Sequence, residues 1–142
     1  MKSTSRLNWL GGYAFEAELQ DHKFIIDLAE SEGGQDLGPR PKSLLLPALA
    51  TCSAVGVIGI LNKMRITGYK LDIDVDAETA DTHPKVYTII NLSYNFTGEN
   101  LDGNKLKKAV SVSEERYCSV YTMLSKTAAI NSVITINGEK FI

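Results

Sequence analysis

The longest apolar stretch of the chain covers residues 44–61 and contains no charged residue. A basic turn, Arg40-Pro41-Lys42, precedes this stretch, and Lys63 follows it. A helix without a polar face is either buried in a core or spans a membrane. The alanines and glycines along the stretch suit close packing, and Pro47 fits near the first turn of a helix. We therefore expect a buried core helix over residues 43–65.

Strict alternation of apolar and acidic residues predicts a half-buried strand over residues 69–78. Alternation continues over residues 86–96, after a turn that contains Pro84. The two strands are therefore expected to form a hairpin. Because no histidine or cysteine joins the carboxylates of the first strand, its acidic side indicates a solvated surface and not a metal site.

The N-terminal part of the chain predicts a further hairpin. Residues 8–19 have the composition of a strand, with a bulge at Gly11-Gly12, and residues 24–28 form its partner. Residues 29–40 form a polar loop that leads into the apolar helix. A connection of this length is often functional.

The C-terminal part predicts a second helix and a last strand. Asn104 is expected to cap a helix that runs to about Tyr117, with Glu114 on its outer side. A short helical turn follows over residues 119–125, and residues 128–136 form the strand.

This order of elements predicts a single α+β domain over residues 1–142, with a largely antiparallel sheet wrapped on a long central buried helix. One small sheet cannot cover a helix that is apolar all round. We therefore expect a second copy of the chain to cover the rest of the helix, which makes the protein an obligate homodimer.

Composition narrows the range of partners. The net charge of −2 and the pI of about 5.7 argue against nucleic acid as the main partner. The N-terminal segment lacks the apolar core of a signal peptide, so we expect a cytoplasmic protein that is not attached to a membrane. No cofactor and no metal ion are expected.

Two cysteines are the candidate chemical groups. Cys52 lies in the middle of the apolar stretch, and Cys118 lies far downstream, after the second predicted helix. A cysteine in an apolar helix is often an inert core residue. In contrast, Arg40, Lys42 and Arg116 are cations that would lower the pKa of a nearby thiol and make it reactive. The residues alone leave both interpretations open.

Two segments resemble the OsmC and organic hydroperoxide resistance superfamily, especially its OsmC-like branch: GPRPKSLLLPALATCSAVGVIGILNKMR and Glu115-Arg116-Tyr117-Cys118-Ser119-Val120, with Ser125 soon after. In that family a proline-led turn opens a long central helix that carries the first active cysteine, and the second cysteine follows a helix. The order of elements agrees along nearly the whole chain. The resemblance implies an OsmC-like fold and an intertwined homodimer.

The resemblance also implies a thiol peroxidase. The Cys52 thiolate would attack an organic hydroperoxide and become a sulfenic acid, with release of an alcohol. Cys118 would condense with it to a disulfide, and an external dithiol would reduce that disulfide. In the family this reductant is typically a lipoylated protein. Arg40 is the candidate for the arginine that holds the thiolate and polarises the peroxide.

The sequence departs from the family pattern before the helix. Lys42 stands where family enzymes commonly carry a glutamate, and Arg40 lies closer to the helix than the family arginine usually does. The retained cysteines favour a peroxidase, whereas the missing glutamate favours a non-enzymatic OsmC-like protein for redox sensing or small-molecule binding. We expect Cys52 to lie deep in apolar surroundings and Cys118 to be better placed to meet an external reductant.

Overall fold

The computed structural model describes residues 1–142, and the chain divides into two units, Met1–Leu45 and Leu46–Ile142. The first unit contains a three-stranded antiparallel sheet in the order β1-β2-β3. Its strands are β1 (Arg6–Gly11), β2 (Ala14–Leu19) and β3 (His22–Ile26). The single domain over residues 1–142 stays a prediction.

Gly11 and Gly12 lie where β1 turns into β2, with φ angles of 99° and 55°. We predicted one strand over residues 8–19 with a bulge at these glycines, and this prediction is wrong because the segment forms two strands. Consecutive residues with positive φ reverse the direction of the chain, and glycine adopts such angles without strain. The hairpin therefore replaces a continuous strand.

Asp27 orders the loop that follows β3. The residue is 1% exposed. Its carboxylate accepts hydrogen bonds from the backbone N–H groups of Leu28, Gln35 and Leu37, at 2.7, 3.1 and 3.2 Å. The segment predicted as a polar loop, residues 29–40, is therefore held by one buried carboxylate whose oxygens are paired with backbone donors.

The second unit combines three helices with a four-stranded sheet in the order β4-β5-β6-β7. Its elements are α1 (Leu45–Lys63), β4 (Tyr69–Thr79), β5 (Tyr87–Gly98), α2 (Gly103–Val112), α3 (Ser119–Leu124), β6 (Ala129–Ile136) and β7 (Glu139–Lys140). Neighbouring strands are antiparallel except β5 and β6, which are parallel because α2 and α3 carry the chain back between them. The fold class is α+β, as predicted, with one parallel pair that the sequence did not indicate.

The alternation predicted for β4 and β5 is confirmed. Along β4 the apolar residues are half-buried and the carboxylates between them are exposed. The inward side of β5 forms the centre of the core, with exposures of at most 1% at Ile90, Leu92, Tyr94 and Phe96. This period of two gives the sheet one apolar side, onto which α1 and α2 pack.

One side of α1 is buried in this core and another side is exposed in the single chain. The buried residues are Leu49, Ala50, Ser53, Val57 and Leu61. Val55 and Ile58 are 63% and 40% exposed. The burial on all sides that we predicted is therefore not reached within one chain.

By length and composition, the helical segment Lys42–Lys63 could cross a membrane, and it is the one helix of the chain that could. A helix in the core of a soluble protein meets the same criteria. α1 packs against the core of the second unit along one side, so this property alone is weak support for a membrane span.

Candidate active site

The segment after α2 widens into a π-helix at Ser113–Tyr117. The N–H of Cys118 donates to the carbonyl of Ser113, five residues back, at 2.8 Å. Single π turns of this kind are frequent at functional sites. Glu114, which we predicted on the outer side of the helix, is half-buried instead. It lies four residues after the buried Val110 and therefore borders the inward side of the helix.

The start of α2 also differs from the prediction. The N-cap is Asp102, whose carboxylate accepts hydrogen bonds from the N–H groups of Asn104 and Lys105. Asn104, which we predicted as the cap, lies inside the first turn. Asp102 has the extended backbone that a capping residue requires.

Cys118 forms the N-cap of α3 and is 1% exposed. Its Sγ atom accepts a hydrogen bond from the N–H of Tyr121 at 3.3 Å. It accepts another from the hydroxyl of Ser53 on α1, at 3.2 Å. The thiol is thus fixed between α1 and α3. Ser53 and Cys118 meet here although 65 residues separate them in the sequence.

Cys52 lies on α1 immediately before Ser53 and is half-buried. Both cysteines are free thiols. Their side chains are close enough for each thiol to shift the pKa of the other. The structure therefore brings together the two cysteines that the sequence singled out.

The pKa values of the two thiols shift in opposite directions. Burial acts to raise the pKa of Cys52, but hydrogen bonds from the backbone N–H of Val120, from Cys118 and from Ser119 lower it below its ordinary value. Burial is the largest cause that raises the pKa of Cys118, and the neighbouring Cys52 raises it further. A donor-rich environment stabilises a thiolate, so Cys52 is the thiol of the pair that ionises more readily.

In the single chain, the relative accessibility of the two thiols is the opposite of what we expected. Cys118 is almost fully buried, whereas Cys52 retains partial exposure. The reason is local: Cys118 is enclosed as a helix cap against Ser53, and Cys52 faces the N-terminus of α3. The expectation that Cys118 would be the more open thiol is therefore wrong for the chain alone.

Arg40 belongs to the first unit. Its guanidinium forms an ion pair with Asp36 at 2.6 Å and donates a hydrogen bond to the carbonyl of Gly38 at 2.8 Å. The predicted action of Arg40 on Cys52 stays a prediction. Hydrogen-bond donors of α3 lower the pKa of Cys52, and the sequence reasoning, which looked for a cation, missed them.

A second group of polar side chains lies behind the thiols, and the sequence reasoning did not identify it. The hydroxyl of Tyr94 donates to Oε1 of Glu114 at 2.8 Å. The hydroxyl of Ser132 donates to the same carboxylate oxygen. Burial is the largest cause that raises the pKa of Glu114. One signal was available, since a tyrosine on the inner side of a strand requires a buried partner for its hydroxyl.

Comparisons with known proteins identify the family of the chain. The family model described as OsmC-like protein matches residues 33–133. Protein YhfA of Escherichia coli (strain K12) is 32% identical over 127 residues, which cover 89% of this chain and 92% of YhfA. The chain therefore belongs to the OsmC-like protein family.

Solved structures show the same fold. A hypothetical protein from Aquifex aeolicus VF5 matches with a TM-score of 0.85 and 25% identity, over 96% of this chain and 97% of that one. The organic hydroperoxide resistance protein OhrB of Bacillus subtilis matches with a TM-score of 0.65 and 16% identity, over 95% of this chain and 98% of that one. At this identity the likeness to OhrB shows the fold alone.

Proposed function

We propose that this protein is a thiol peroxidase that reduces organic hydroperoxides, with Cys52 as the attacking thiol and Cys118 as the resolving thiol. The observation that carries the proposal is a pair of neighbouring thiols in which the pKa of Cys52 is lowered and that of Cys118 is raised. Such a pair supplies a nucleophilic thiolate next to a thiol that stays protonated until it is needed.

In the first step, Cys52 Sγ attacks the terminal oxygen of the hydroperoxide. The O–O bond breaks, the alkoxide takes up a proton and leaves as an alcohol, and Cys52 becomes a sulfenic acid. In the second step, Cys118 Sγ attacks Cys52 Sγ, the S–O bond breaks and water leaves. An external dithiol, for which a lipoylated protein is the candidate, then reduces the disulfide by exchange. Arg40 is proposed to polarise the peroxide.

The proposal includes a homodimer in the cytoplasm. An open apolar groove of about 430 Å³ lies between α1 and β4, lined by residues that include Pro47, Val55, Ile58, Leu71 and Ile73. Contiguous apolar surface of this kind is usually covered by a partner. A second copy of the chain is the proposed cover, because α1 has no polar face to present to water.

A second candidate function is redox sensing or small-molecule binding without turnover. Lys42 stands at the position of the family glutamate, and Arg40 is held within its own loop by Asp36. Both observations weaken the case for an arginine that is oriented towards a peroxide. The thiol pair would then report oxidation by forming a disulfide.

Counting thiols separates these functions. Free thiols are measured before and after addition of one equivalent of cumene hydroperoxide, and peroxide consumption is then followed with excess dithiol. A peroxidase loses both thiols of each chain and turns over repeatedly. A sensor loses the thiols but does not sustain consumption, and inert core thiols do neither.

A further inference from the structure

A series of polar side chains leads from Cys118 to the half-buried carboxylate of Glu114. Ser53 Oγ lies 3.2 Å from Cys118 Sγ. Ser53 also lies close to the Tyr94 hydroxyl, where it acts to lower the pKa of Tyr94 against the larger effect of burial. The hydroxyl of Tyr94 donates to Glu114 at 2.8 Å. Ser53 and Tyr94 are both 0% exposed. These side chains line a route for a proton that leaves Cys118, and the two hydroxyl groups along it are closed off from solvent.

We propose that Glu114 accepts the proton of Cys118 in the resolving step, and that Ser53 and Tyr94 relay it. The inference rests on the proposed function for one point only, the role of Cys118 as the resolving thiol. It adds three residues to the reaction. Ser53 lies in the first of the two segments that carry the family resemblance, and Tyr94 and Glu114 lie outside both.

The direction of the relay follows from the rotation of one hydroxyl. In the resting arrangement Ser53 donates to Cys118 Sγ. Rotation about its Cβ–Oγ bond lets Ser53 accept from the thiol and donate to Tyr94, which already donates to Glu114. Every donor then points from the thiol towards the carboxylate, as a proton relay requires.

The step balances in atoms and electrons. As Cys118 Sγ forms its bond to Cys52 Sγ, the thiol proton passes to Ser53, the serine proton to Tyr94 and the tyrosine proton to Glu114. The sulfenic oxygen leaves with the electron pair of the S–O bond and takes a proton from solvent to form water. Reduction of the disulfide later returns a proton to Cys118, and Glu114 ionises again.

Glu114 is suited to this role by its surroundings. Burial raises the pKa of its carboxyl above the ordinary value, and the nearby Glu115 raises it further. A carboxylate with a raised pKa is a better proton acceptor for a thiol than an exposed one. The hydroxyls of Tyr94 and Ser132 hold the receiving oxygen in place.

A structural role for Glu114 is the competing explanation. A buried tyrosine hydroxyl needs an acceptor, and the carboxylate supplies one. A structural role would affect stability and both cysteines together. The relay would affect only the step in which Cys118 loses its proton, so a measurement that separates the two steps distinguishes the explanations.

The test uses the reduced full-length chain and 2,2′-dithiodipyridine, and it requires no peroxide. Attack by Cys52 releases one pyridinethione, and attack by Cys118 on the resulting mixed disulfide releases the second. Stopped-flow absorbance resolves the two phases. In Glu114→Gln the first phase should keep its rate, and the second should slow by about tenfold or more. Glu99→Gln, which removes an exposed carboxylate outside the relay, is the control and should leave both phases unchanged.

The pH dependence of the rate of the second phase distinguishes the relay from a structural role, because a structural role would not change it. The second phase of the wild type should slow as the pH falls through the pKa of Glu114, and Glu114→Gln should lose this dependence. Tyr94→Phe breaks the path but keeps the carboxylate, so it should also slow the second phase. This variant replaces Glu114→Gln in the test if Glu114→Gln does not fold.

Three results would overturn the relay: an unchanged second phase in both variants, equal slowing of both phases, or release of only one pyridinethione by the wild type. A protein that passes this test but consumes no hydroperoxide would retain the relay and refute the proposed peroxidase function.

Discussion

Gly56 of α1 and Ser113 of the π-helix are in such close contact that a Cβ atom at position 56 would overlap the Ser113 hydroxyl. The same hydroxyl donates a hydrogen bond to the carbonyl of Ser53 at 2.8 Å. The close approach of α1 to the π-helix therefore depends on the missing side chain of Gly56. It also fixes the register in which Ser53 meets Cys118.

Gly56→Ala should destabilise the protein by about 1–3 kcal/mol, because the added methyl group forces the π-helix away from α1. Urea unfolding measures the effect. Gly59→Ala is the matched control, since a Cβ atom there meets nothing within 4 Å. It should be neutral or stabilising by up to about 1 kcal/mol, as expected for glycine replaced by alanine within a helix. Equal stability of the two variants would show that the contact is not tight.

Charges introduced at neighbouring positions of α1 should separate the core from the proposed dimer interface. Val57 is 0% exposed in the chain, whereas Ile58 is 40% exposed. Val57→Asp should unfold the protein, because an unpaired buried charge costs several kcal/mol. Ile58→Glu should leave a folded chain that no longer dimerises.

Light scattering measures whether each variant is a dimer, and circular dichroism measures whether it is folded. The proposal requires that the wild type is a dimer and that Ile58→Glu is a folded monomer. A wild type that is a stable folded monomer would remove the homodimer from the proposed function.

Asp27 should make the first unit sensitive to acid. Its carboxylate is desolvated by burial, but hydrogen bonds from backbone N–H groups of its loop lower its pKa below the ordinary value. Its contribution to stability is therefore present above the unfolded-state pKa of about 3.9 and is lost as the pH falls towards the folded-state pKa.

Asp27→Asn should remove this contribution, so that the free energy of unfolding falls less steeply as the pH is lowered. Urea unfolding at a series of pH values measures the effect. Asp21→Asn, a change at an exposed turn residue, is the control and should keep the profile of the wild type. An unchanged acid profile in Asp27→Asn would contradict the role given to this carboxylate.

Cys52 should be alkylated at lower pH than an unperturbed thiol. Hydrogen-bond donors oppose the effect of burial and lower its pKa, and Cys118 is one of them. Cys118→Ala should therefore move the pH midpoint of iodoacetamide alkylation upwards. Mass spectrometry of the Cys52 peptide follows the reaction. A wild-type midpoint at or above that of a free thiol would contradict the assignment of Cys52 as the nucleophile.

The sequence predicted those parts of the fold that have a clear period. The period of two in β4 and β5 separates buried from exposed residues, and the apolar run predicted α1 nearly to its ends. The turn at Gly11-Gly12 was misjudged because glycine pairs occur both at bulges and in hairpin turns. The parallel pairing of β5 and β6 depends on where α2 and α3 return the chain, which no local pattern records.

The candidate site was predicted less completely. Cys52 and Cys118 came from two motifs and their resemblance to a family, and the structure brings the two residues together. The polar group behind them was missed, although Glu114 lies four residues after Val110 and eight after Leu106, a spacing that places it at the edge of the inward side. The π-helix at Ser113–Tyr117, which precedes Cys118, could not be predicted. Nothing in the sequence marks where a helix widens by one residue.

The most direct test of the account is to locate the first oxidised cysteine. Cys118→Ser and Cys52→Ser are treated with one equivalent of cumene hydroperoxide in the presence of dimedone, and the peptides are analysed by mass spectrometry. The account predicts a dimedone adduct on Cys52 in Cys118→Ser, no peroxide consumption by Cys52→Ser, and an intramolecular disulfide in the wild type. An adduct on Cys118 in Cys52→Ser, or no adduct on either cysteine in folded protein, would contradict it.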